Sequence, residues 1–319
     1  MAQKVLITRP LPESVQTRAA GLFEVEQRES TGPMSRAEMV RSLAEFDAVL
    51  PTLGDLYSAE IFAEAGPPRA KLLANFGVGY NHIDVEAAKG AGIAVSNTPG
   101  AVTDATADIA IMLVLMVARR AGEGERLVRR GAWEGWHPVQ MLGLHVTGKR
   151  LGIIGMGRIG KAIARRAHRG FDMEVVFYNR SPVADAGVPA TQLGSLAEVL
   201  ASADVTVLAV PGGAATHHLI GTEALAAVKP GAFLVNISRG DVIDEAALVA
   251  ALEDGRLGGA GLDVYEHEPR VPGALIGMEN VVLLPHLGTA ALEVRENMGH
   301  MAVDNLEAFF AGSPPPNLL

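Results

Sequence analysis

The sequence predicts an α/β protein built on two parallel sheets. Short runs rich in Val, Ile and Leu alternate with alanine-rich stretches along most of the 319 residues. Nearly continuous apolar strands separated by helices are typical of parallel sheets that are covered on both faces. The length also favours two domains, at roughly 100–200 residues per domain. A glycine-rich turn at residues 155–160 directly follows one of the predicted strands.

Four strands are predicted before residue 100, with the sequences KVLIT, DAVLPT, KLLANFG and IAVSNT. We expect the first unit to end near Thr98-Pro99-Gly100, just before a long apolar helix over residues 103–120. Six further strands follow between residues 150 and 285, namely RLGIIG, MEVVFYN, DVTVLAV, AFLVNIS, GAGLDVY and NVVLLP. One more helical stretch comes after the last strand, and the residues alone do not assign it to either unit.

Composition excludes several classes of function. The chain has 27 Lys and Arg against 36 Asp and Glu, a formal net charge of −9, which disfavours binding to nucleic acid. The absence of cysteine excludes disulfides, thiolate nucleophiles and cysteine-ligated zinc, and fits a reducing compartment. The longest apolar stretch, residues 109–118, is about half of what spans a bilayer. We therefore expect a cytoplasmic protein with no membrane segment and no bound metal.

The glycine-rich turn has the sequence GMGRIG and stands between a strand and the helix KAIARRAHR. In this context Gly155 permits the tight turn, Gly157 lets the backbone approach a pyrophosphate, and Gly160 lets the helix pack close to the strand. The helix N-terminus adds N–H groups and a partial positive charge for phosphates. The pattern therefore predicts a dinucleotide site, to which Arg158 and Ile159 also belong. The alternative is an ordinary strand–turn–helix with chance glycines.

The end of the next strand bears on which nucleotide is bound. An enzyme specific for NAD carries Asp or Glu there, to accept from the ribose 2′-hydroxyl. This chain has Asn179, 19 residues after Gly160, followed by Arg180 and Ser181. An arginine can pair with a 2′-phosphate and a hydroxyl can donate to it. We therefore predict that NADP(H) is preferred and NAD(H) is the alternative, unless Arg180 is merely a solvated loop charge.

Five further segments, in order and at compatible spacings, resemble the D-isomer-specific 2-hydroxyacid dehydrogenase family, and within it a glyoxylate/hydroxypyruvate reductase-like subgroup. They are NFGVGYNHIDVEAA at 75–88, NTPGAVTDATAD at 97–108, NISRGDVIDE at 236–245, GLDVYEHEP at 261–269 and LLPHLGTA at 283–290. The resemblance implies two Rossmann-like domains with a cleft between them. It makes residues 1–98 plus 288–319 a flavodoxin-like substrate-binding and catalytic domain, and residues 99–287 the dinucleotide-binding domain.

The family's three catalytic residues match Arg239, Glu268 and His286. Reduction of a 2-oxo acid needs a proton for the carbonyl oxygen, and a histidine is the natural donor near neutral pH. A glutamate can orient the imidazole and favour its charged form. An arginine offers a fork of donors to the carboxylate and the carbonyl oxygen. Taken singly, each has another interpretation: a surface or capping charge for the arginine, a loop carboxylate for the glutamate, a core residue for the histidine.

The resemblance also implies the residues that bind the two ligands. The substrate carboxylate is expected to contact the backbone N–H groups of Val78 and Gly79, with Asn75 beside them, and Arg239 is expected to bind the substrate as well. The residues expected to line the cofactor site are Gly155, Gly157, Arg158, Ile159, Gly160, Asn179, Arg180, Ser181, Val210, Pro211, Thr216, Ile237, Ser238, Arg239, Asp263, His286 and Gly288.

Taken together, the sequence predicts an NADPH-preferring reductase that converts glyoxylate or hydroxypyruvate into the D-2-hydroxy acid. Two alternatives stay open at this point. One is an NAD-dependent member of the family that acts on another 2-oxo acid, and the other is a non-catalytic dinucleotide-sensing interaction protein. The resemblance further implies a homodimer, to which the helix over residues 103–120 is expected to contribute.

Overall fold

The computed structural model describes residues 2–319, which form two units. The first unit comprises the chain up to Val102 together with Thr289–Leu319, and the second comprises Thr103–Gly288. The sequence-based boundary lay at residues 98 and 99. The first unit extends a little further because the turn after Pro99 continues to Val102, whose side chain is buried, and the next helix begins only at Thr103.

The first unit contains a sheet of five parallel strands in the order β2-β1-β3-β4-β5, the flavodoxin-like order. Its elements, in chain order, are β1 (Lys4–Ile7), α1 (Glu13–Leu22), β2 (Glu24–Gln27), α2 (Arg36–Glu45), β3 (Ala48–Leu50), α3 (Ala59–Ala65), β4 (Leu72–Ala74), α4 (Val85–Gly90) and β5 (Ala94–Ser96).

The second unit contains a sheet of seven parallel strands in the order β12-β11-β10-β9-β6-β7-β8. Its elements are α5 (Thr103–Ala118), α6 (Ala121–Arg129), β6 (Arg150–Ile154), α7 (Arg158–Phe171), β7 (Glu174–Tyr178), β8 (Ala190–Gln192), α8 (Leu196–Ser202), β9 (Val205–Leu208), α9 (Thr222–Ala226), β10 (Ala232–Asn236), α10 (Glu245–Glu253), β11 (Leu257–Leu262), α11 (Gly273–Gly277) and β12 (Val281–Leu283). Two parallel α/β sheets confirm the predicted fold class.

Two strands were missed by the sequence-based prediction of ten, and both lie at a sheet edge. Strand β2 has the sequence EVEQ, and β8 has the sequence ATQ. None of the seven residues in these two strands is buried. An edge strand with a solvated face lacks the continuous apolar run by which buried parallel strands are recognised.

The predicted helix over residues 103–120 is also shorter than expected. It ends at Ala118, and α6 begins at Ala121 after a break at Arg120, whose φ of 53° lies in the left-handed region. A left-handed residue cannot continue a right-handed helix, so the chain changes direction there.

Both faces of the seven-stranded sheet are covered by apolar side chains. Neighbouring residues of one strand, Ile153 and Ile154, belong to two different buried clusters, as expected where successive side chains point to opposite faces. Helix α5 contributes Leu113 and Val117 to the cluster that contains Ile153. This double burial explains why the strands of the unit read as nearly continuous apolar runs.

A long C-terminal helix, α12 (Leu292–Phe310), completes the first unit. It packs on α1, where Gly299 leaves no room for a side chain against Val15. Nη2 of Arg18 in α1 lies 2.6 Å from Asp304 and 3.0 Å from Glu307.

Candidate active site

Loops leave the carboxyl edge of the seven-stranded sheet after each of its parallel strands. This edge is where open α/β sheets bind their ligands. The predicted cofactor residues follow β6, β7, β9, β10, β11 and β12, and the predicted acid and histidine follow the last two of these strands. The fold therefore brings residues that are far apart in sequence to one edge of one unit.

In the glycine turn after β6, close packing requires glycine at two of the three glycine positions. Gly155 has a φ of 99°, and a Cβ there would lie 2.6 Å from the carbonyl oxygen of Ala209. A Cβ at Gly160 would collide with the carbonyl oxygen of Gly155. Gly157, in contrast, faces open space, since within residues 2–319 a Cβ there would meet no atom of a more distant residue within 4 Å. The turn thus leaves a cradle in which the backbone can approach a ligand.

Helix α7 begins at this cradle with its N–H groups uncapped by any side chain. Its N-cap residue is Gly157, and the first turn contains no acidic residue. The first N–H groups of a helix have no partner within the helix, and they bind anions together with the positive end of the helix dipole. The cradle and the helix terminus therefore fit the pyrophosphate of a dinucleotide.

The loop after β7 is tied to the glycine turn by Asn179. Its Oδ1 accepts from the Met156 amide at 3.2 Å, and its Nδ2 donates to the Ser181 carbonyl oxygen at 2.9 Å. Arg180 is exposed and forms no ion pair with any residue between 2 and 319. The structure thus places an unbalanced positive charge beside the predicted ribose site, and it uses the Asn179 side chain to hold two loops together.

Loops after β9 and β10 carry further predicted cofactor residues. Thr216 closes the first loop by donating from Oγ1 to the Pro211 carbonyl oxygen at 2.7 Å. In the second loop Asn236 accepts from both the N–H and the hydroxyl of Ser238, at 3.0 and 2.8 Å, and donates to the Arg239 carbonyl oxygen at 2.8 Å. Sequence reasoning did not single out Asn236. An asparagine two residues before a serine, at a strand end, is the signal of such a side-chain-stabilised turn.

His286 and Glu268 form a direct pair. Nδ1 of His286 lies 3.0 Å from Oε2 and 3.2 Å from Oε1 of the glutamate. Burial raises the pKa of the Glu268 carboxyl, but the His286 hydrogen bond, the Tyr265 amide and the Arg239 charge together bring that pKa below its ordinary value. An ionised carboxylate only accepts, so the imidazole carries a proton on Nδ1.

The backbone at His286 is held by Asp263. Its φ of 56° lies in the left-handed region, which is uncommon for a residue with a side chain. The buried Asp263 carboxylate accepts the amides of Leu287 and Gly288 at 2.6 and 2.8 Å, and Thr106 donates to the Gly288 carbonyl oxygen at 3.1 Å. Burial raises the pKa of Asp263. These bonds fix the turn that presents the imidazole.

Arg239 follows β10 and is partly buried. Burial lowers the pKa of its guanidinium, while the charges of Glu268 and Asp241 raise it, and an arginine stays protonated in any case. The next residue, Gly240, packs against the Tyr265–Glu266 peptide so closely that a Cβ would overlap it. This contact joins the Arg239 loop to the loop that carries Glu268, so the structure brings all three predicted catalytic residues to one region of the unit.

The predicted carboxylate loop lies in the first unit and is shaped by buried side chains. Nδ2 of Asn75 donates to the carbonyl oxygens of Gly77 and Gly79, both at 3.0 Å, and Nδ2 of Asn97 donates to the Val78 carbonyl oxygen at 2.9 Å. Within the described part of the chain, the amides of Val78 and Gly79 have no backbone or side-chain acceptor. The Asn75 side chain thus supports the loop from within.

A second histidine–carboxylate pair was not predicted. Nε2 of His218 lies 2.9 Å from Oε1 of Glu266, and this contact raises the pKa of the histidine. The ring of His217 stacks on that of His218 at 3.9 Å. Nothing in the spacing of these two histidines indicates a carboxylate partner 48 residues away.

Between residues 2 and 319 there is no group of three or more His, Cys, Asp or Glu side chains arranged to hold a metal ion. In the same stretch no helix has both the length and the apolar character needed to cross a membrane.

Comparison with known proteins gives consistent matches over the whole chain. The family model for the NAD-binding domain of D-isomer specific 2-hydroxyacid dehydrogenases matches residues 111–288. The glyoxylate reductase of Pyrococcus furiosus is 43% identical, with 100% of this chain and 96% of the relative covered. The glycerate dehydrogenase of Hyphomicrobium methylovorum is 38% identical, with 98% and 97% covered.

A solved structure is also similar. It is the NADPH-dependent glyoxylate/hydroxypyruvate reductase from Sinorhizobium meliloti in complex with NADP and malonate, with a TM-score of 0.87 and 34% identity, and with 100% of this chain and 97% of that chain covered.

Proposed function

Because the chain belongs to the D-isomer-specific 2-hydroxyacid dehydrogenase family, we propose that it reduces glyoxylate to the achiral 2-hydroxy acid, or hydroxypyruvate to the D-2-hydroxy acid, with a preference for NADPH. Membership makes it an NAD(P)-dependent oxidoreductase. The observation that carries the proposal is the pair of His286 and Glu268, 3.0 Å apart, at the sheet edge that also carries the glycine cradle.

The cradle of Gly155, Gly157 and Gly160, with the start of α7, would hold the pyrophosphate. Arg180 and Ser181 would hold the 2′-phosphate, since an exposed arginine with no acidic partner among residues 2–319 is free to form a bidentate pair with it. When bound, the dihydronicotinamide supplies the hydride for the carbonyl carbon. The other residues proposed to line this site are Arg158, Ile159, Asn179, Val210, Pro211, Thr216, Ile237, Ser238, Arg239, Asp263, His286 and Gly288.

His286 is the proposed proton donor. Because its Nδ1 proton is held by Glu268, the atom left to exchange a proton with the substrate oxygen is Nε2. The negative charge of the nearby Glu268 carboxylate stabilises the charged imidazolium. This stabilisation is lost when the imidazolium gives its proton to the substrate. In the direction of oxidation the same nitrogen accepts the hydroxyl proton.

Arg239 is proposed to bind the substrate carboxylate and to polarise the carbonyl group. Its guanidinium offers donors in a fixed fork, and partial burial strengthens each interaction by lowering the local dielectric constant. In the first unit, the amides of Val78 and Gly79 are proposed to bind a carboxylate oxygen, since two successive free N–H groups form an anion nest. Asn75 would act there through the shape of the loop.

The choice between the two substrates rests on the relatives. One is named a glyoxylate reductase and another a glycerate dehydrogenase. Hydroxypyruvate is the 2-oxo acid that corresponds to glycerate, so we propose both glyoxylate and hydroxypyruvate as substrates. A NAD-dependent enzyme for another 2-oxo acid is the alternative, although the acidic residue expected after β7 for NAD is replaced by Asn179.

The deciding experiment compares initial rates with NADPH and NADH on glyoxylate, hydroxypyruvate, pyruvate and phenylpyruvate. We expect the highest kcat/KM with NADPH and one of the first two acids, and a D-configured product from hydroxypyruvate. The absence of turnover with every acid would favour the dinucleotide-sensing alternative. A higher kcat/KM with NADH would contradict the proposed cofactor preference.

We further propose that the protein forms a homodimer. The segment after α5 exposes several large apolar side chains, a pattern typical of a surface covered by a partner: Val128, Trp133, Trp136, Val139 and Leu142. Light scattering after gel filtration should give twice the mass of the chain, and a monomer would contradict this. The expected cytoplasmic location stays a prediction.

A further inference from the structure

The loop that carries Arg180 is closed by the side chain of Gln192. This residue ends the edge strand β8, where it pairs with Phe177 of β7, and the next amide, that of Leu193, donates to the Phe177 carbonyl oxygen at 2.8 Å. The backbone of Gln192 is therefore fixed by the sheet. Its side chain extends back to the loop that leaves the neighbouring strand.

Three hydrogen bonds join this side chain to the loop. Nε2 of Gln192 donates to the carbonyl oxygens of Asn179 and Ser181, both at 3.2 Å. Its Oε1 accepts from the amide of Val183 at 2.9 Å. Since two carbonyl groups and one N–H group surround the amide, its orientation is determined. The two bound carbonyls belong to the residues on either side of Arg180, so one nitrogen fixes the backbone before and after it.

We infer that Gln192 is a positioning residue that determines the preference of this site for 2′-phosphorylated nucleotides. The inference rests on the proposed preference for NADPH. It assigns to Gln192 no contact with the nucleotide, and instead an action through the backbone of Arg180.

The position of the Arg180 guanidinium depends on the backbone from which its side chain extends. Its side chain is exposed and forms no ion pair elsewhere in residues 2–319, so the guanidinium is positioned only through its own backbone. Ordering a flexible loop on binding costs free energy that a preorganised loop does not lose. An arginine that starts from a fixed Cα therefore binds a phosphate more tightly than one on a mobile loop.

Removal of the Gln192 amide should affect the binding of the two nucleotides differently. Asn179 keeps its own bonds to Met156 and to the Ser181 carbonyl oxygen, so the connection to the glycine cradle persists. The cradle serves NADH and NADPH equally, whereas only NADPH has the phosphate that Arg180 is proposed to bind. We therefore expect the variant to lose affinity for NADPH and not for NADH.

The test measures the Kd of NADPH and of NADH by fluorescence titration without a 2-oxo acid, on the wild type, Gln192→Ala, Gln192→Glu and Thr191→Ala. Thr191 is the matched control, an exposed neighbour on the same strand. For Gln192→Ala we expect NADPH binding to weaken about tenfold, a difference of about 1.4 kcal/mol, and NADH binding by about twofold or less. Gln192→Glu keeps the acceptor for the Val183 amide but loses both donated bonds. It should therefore weaken NADPH binding at least as much as Gln192→Ala does. Thr191→Ala should change neither Kd.

A double-mutant cycle with Arg180→Ala separates positioning from direct contact. If Gln192 acts through Arg180, then Gln192→Ala should have almost no further effect on the NADPH to NADH ratio in the Arg180→Ala background. Additive effects would overturn the inference, because they would mean that Gln192 affects the nucleotide independently of Arg180.

Each of the other possible results overturns a stated part of the proposal. If the wild type prefers NADPH but Gln192→Ala has the same ratio of the NADPH and NADH Kd values, only the role of Gln192 is overturned. If both affinities fall equally, Gln192 supports the fold and not the preference. If the wild type itself does not prefer NADPH, the cofactor proposal and the role of Gln192 both fail. A melting temperature measured for each variant shows whether it is folded.

Discussion

Nδ1 of His286 and Oε2 of Glu268 lie 3.0 Å apart, and this contact selects one tautomer of the imidazole. The pKa of the glutamate lies below its ordinary value, so the carboxylate accepts and the ring nitrogen donates. The opposite ring nitrogen, Nε2, is left for proton exchange.

Replacement of the histidine should separate chemistry from binding. His286→Gln removes the exchangeable proton, so kcat for 2-oxo acid reduction should fall by about 10²–10⁴-fold. The Kd of NADPH should stay within about twofold, because the glutamine does not disturb the glycine cradle. His145→Gln, at an exposed position of the same unit, is the control. An unchanged kcat would remove His286 from the proton-donor role.

Arg239→Lys keeps a positive charge but loses the fork of donors. We expect KM for the 2-oxo acid to rise about tenfold or more, since a bidentate contact with the carboxylate is lost. The Kd of NADPH, measured without the acid, should change little. An equal loss of affinity for nucleotide and acid would indicate that the residue serves the fold of its loop.

Arg180→Ala should distinguish the two nucleotides. Loss of the proposed pair with the 2′-phosphate should raise the Kd of NADPH about tenfold or more and leave that of NADH nearly unchanged. Arg169→Ala, which removes an exposed arginine of α7, controls for a general effect of charge. Equal losses for both nucleotides would refute the phosphate contact.

Gly240→Ala should destabilise the second unit, because the added Cβ would overlap the backbone of Tyr265 and Glu266. Backbone atoms cannot move aside cheaply, so the free energy of unfolding should fall by about 3 kcal/mol or more. Gly170→Ala is the matched control, since a Cβ there meets no atom within 4 Å. In a helix that change should be neutral or stabilising by up to about 1 kcal/mol. Urea unfolding that found the two variants equally stable would contradict the close contact.

The pH dependence of stability should report the ion pair. The folded-state pKa of Glu268 is lowered, so its contribution to stability is present above the pKa of an unfolded glutamate and is lost as pH falls through the lowered value. The Tm difference between the wild type and Glu268→Gln should therefore narrow from about pH 6 to about pH 3. A difference that stays constant over this range would mean that the pKa of the carboxyl is the same in the folded and the unfolded protein.

The sequence predicts those parts of the fold that are buried on both sides. Runs such as RLGII and AFLVN identify their strands because nearly every position faces a core. The edge strands EVEQ and ATQ have no such pattern, since their pairing is set by the neighbouring strand and not by burial. The end of α5 was missed for a related reason, because Arg120 adopts a left-handed conformation that its residue type does not indicate.

For the site, sequence reasoning identifies groups that carry chemistry but not the groups that hold them. His286 and Glu268 follow from motifs, and the structure brings them into contact. The support from Thr106, Asn236 and Gln192 depends on contacts between distant segments, such as the bond from Thr106 to Gly288, 182 residues apart. No local pattern of residues records such a pairing.

The return of α12 to the first unit has a consequence for biosynthesis. Ala302, Val303 and Leu306 of this helix belong to the cluster that covers Val5 and Ile7, so one face of the first sheet has no complete cover until they are made. Translation of Thr103–Gly288 comes first and takes about 10–40 s at about 5–20 residues per second. During that interval the newborn N-terminal strands expose an apolar surface to the cell. The first sheet therefore depends for its cover on residues that are made only after the whole second unit.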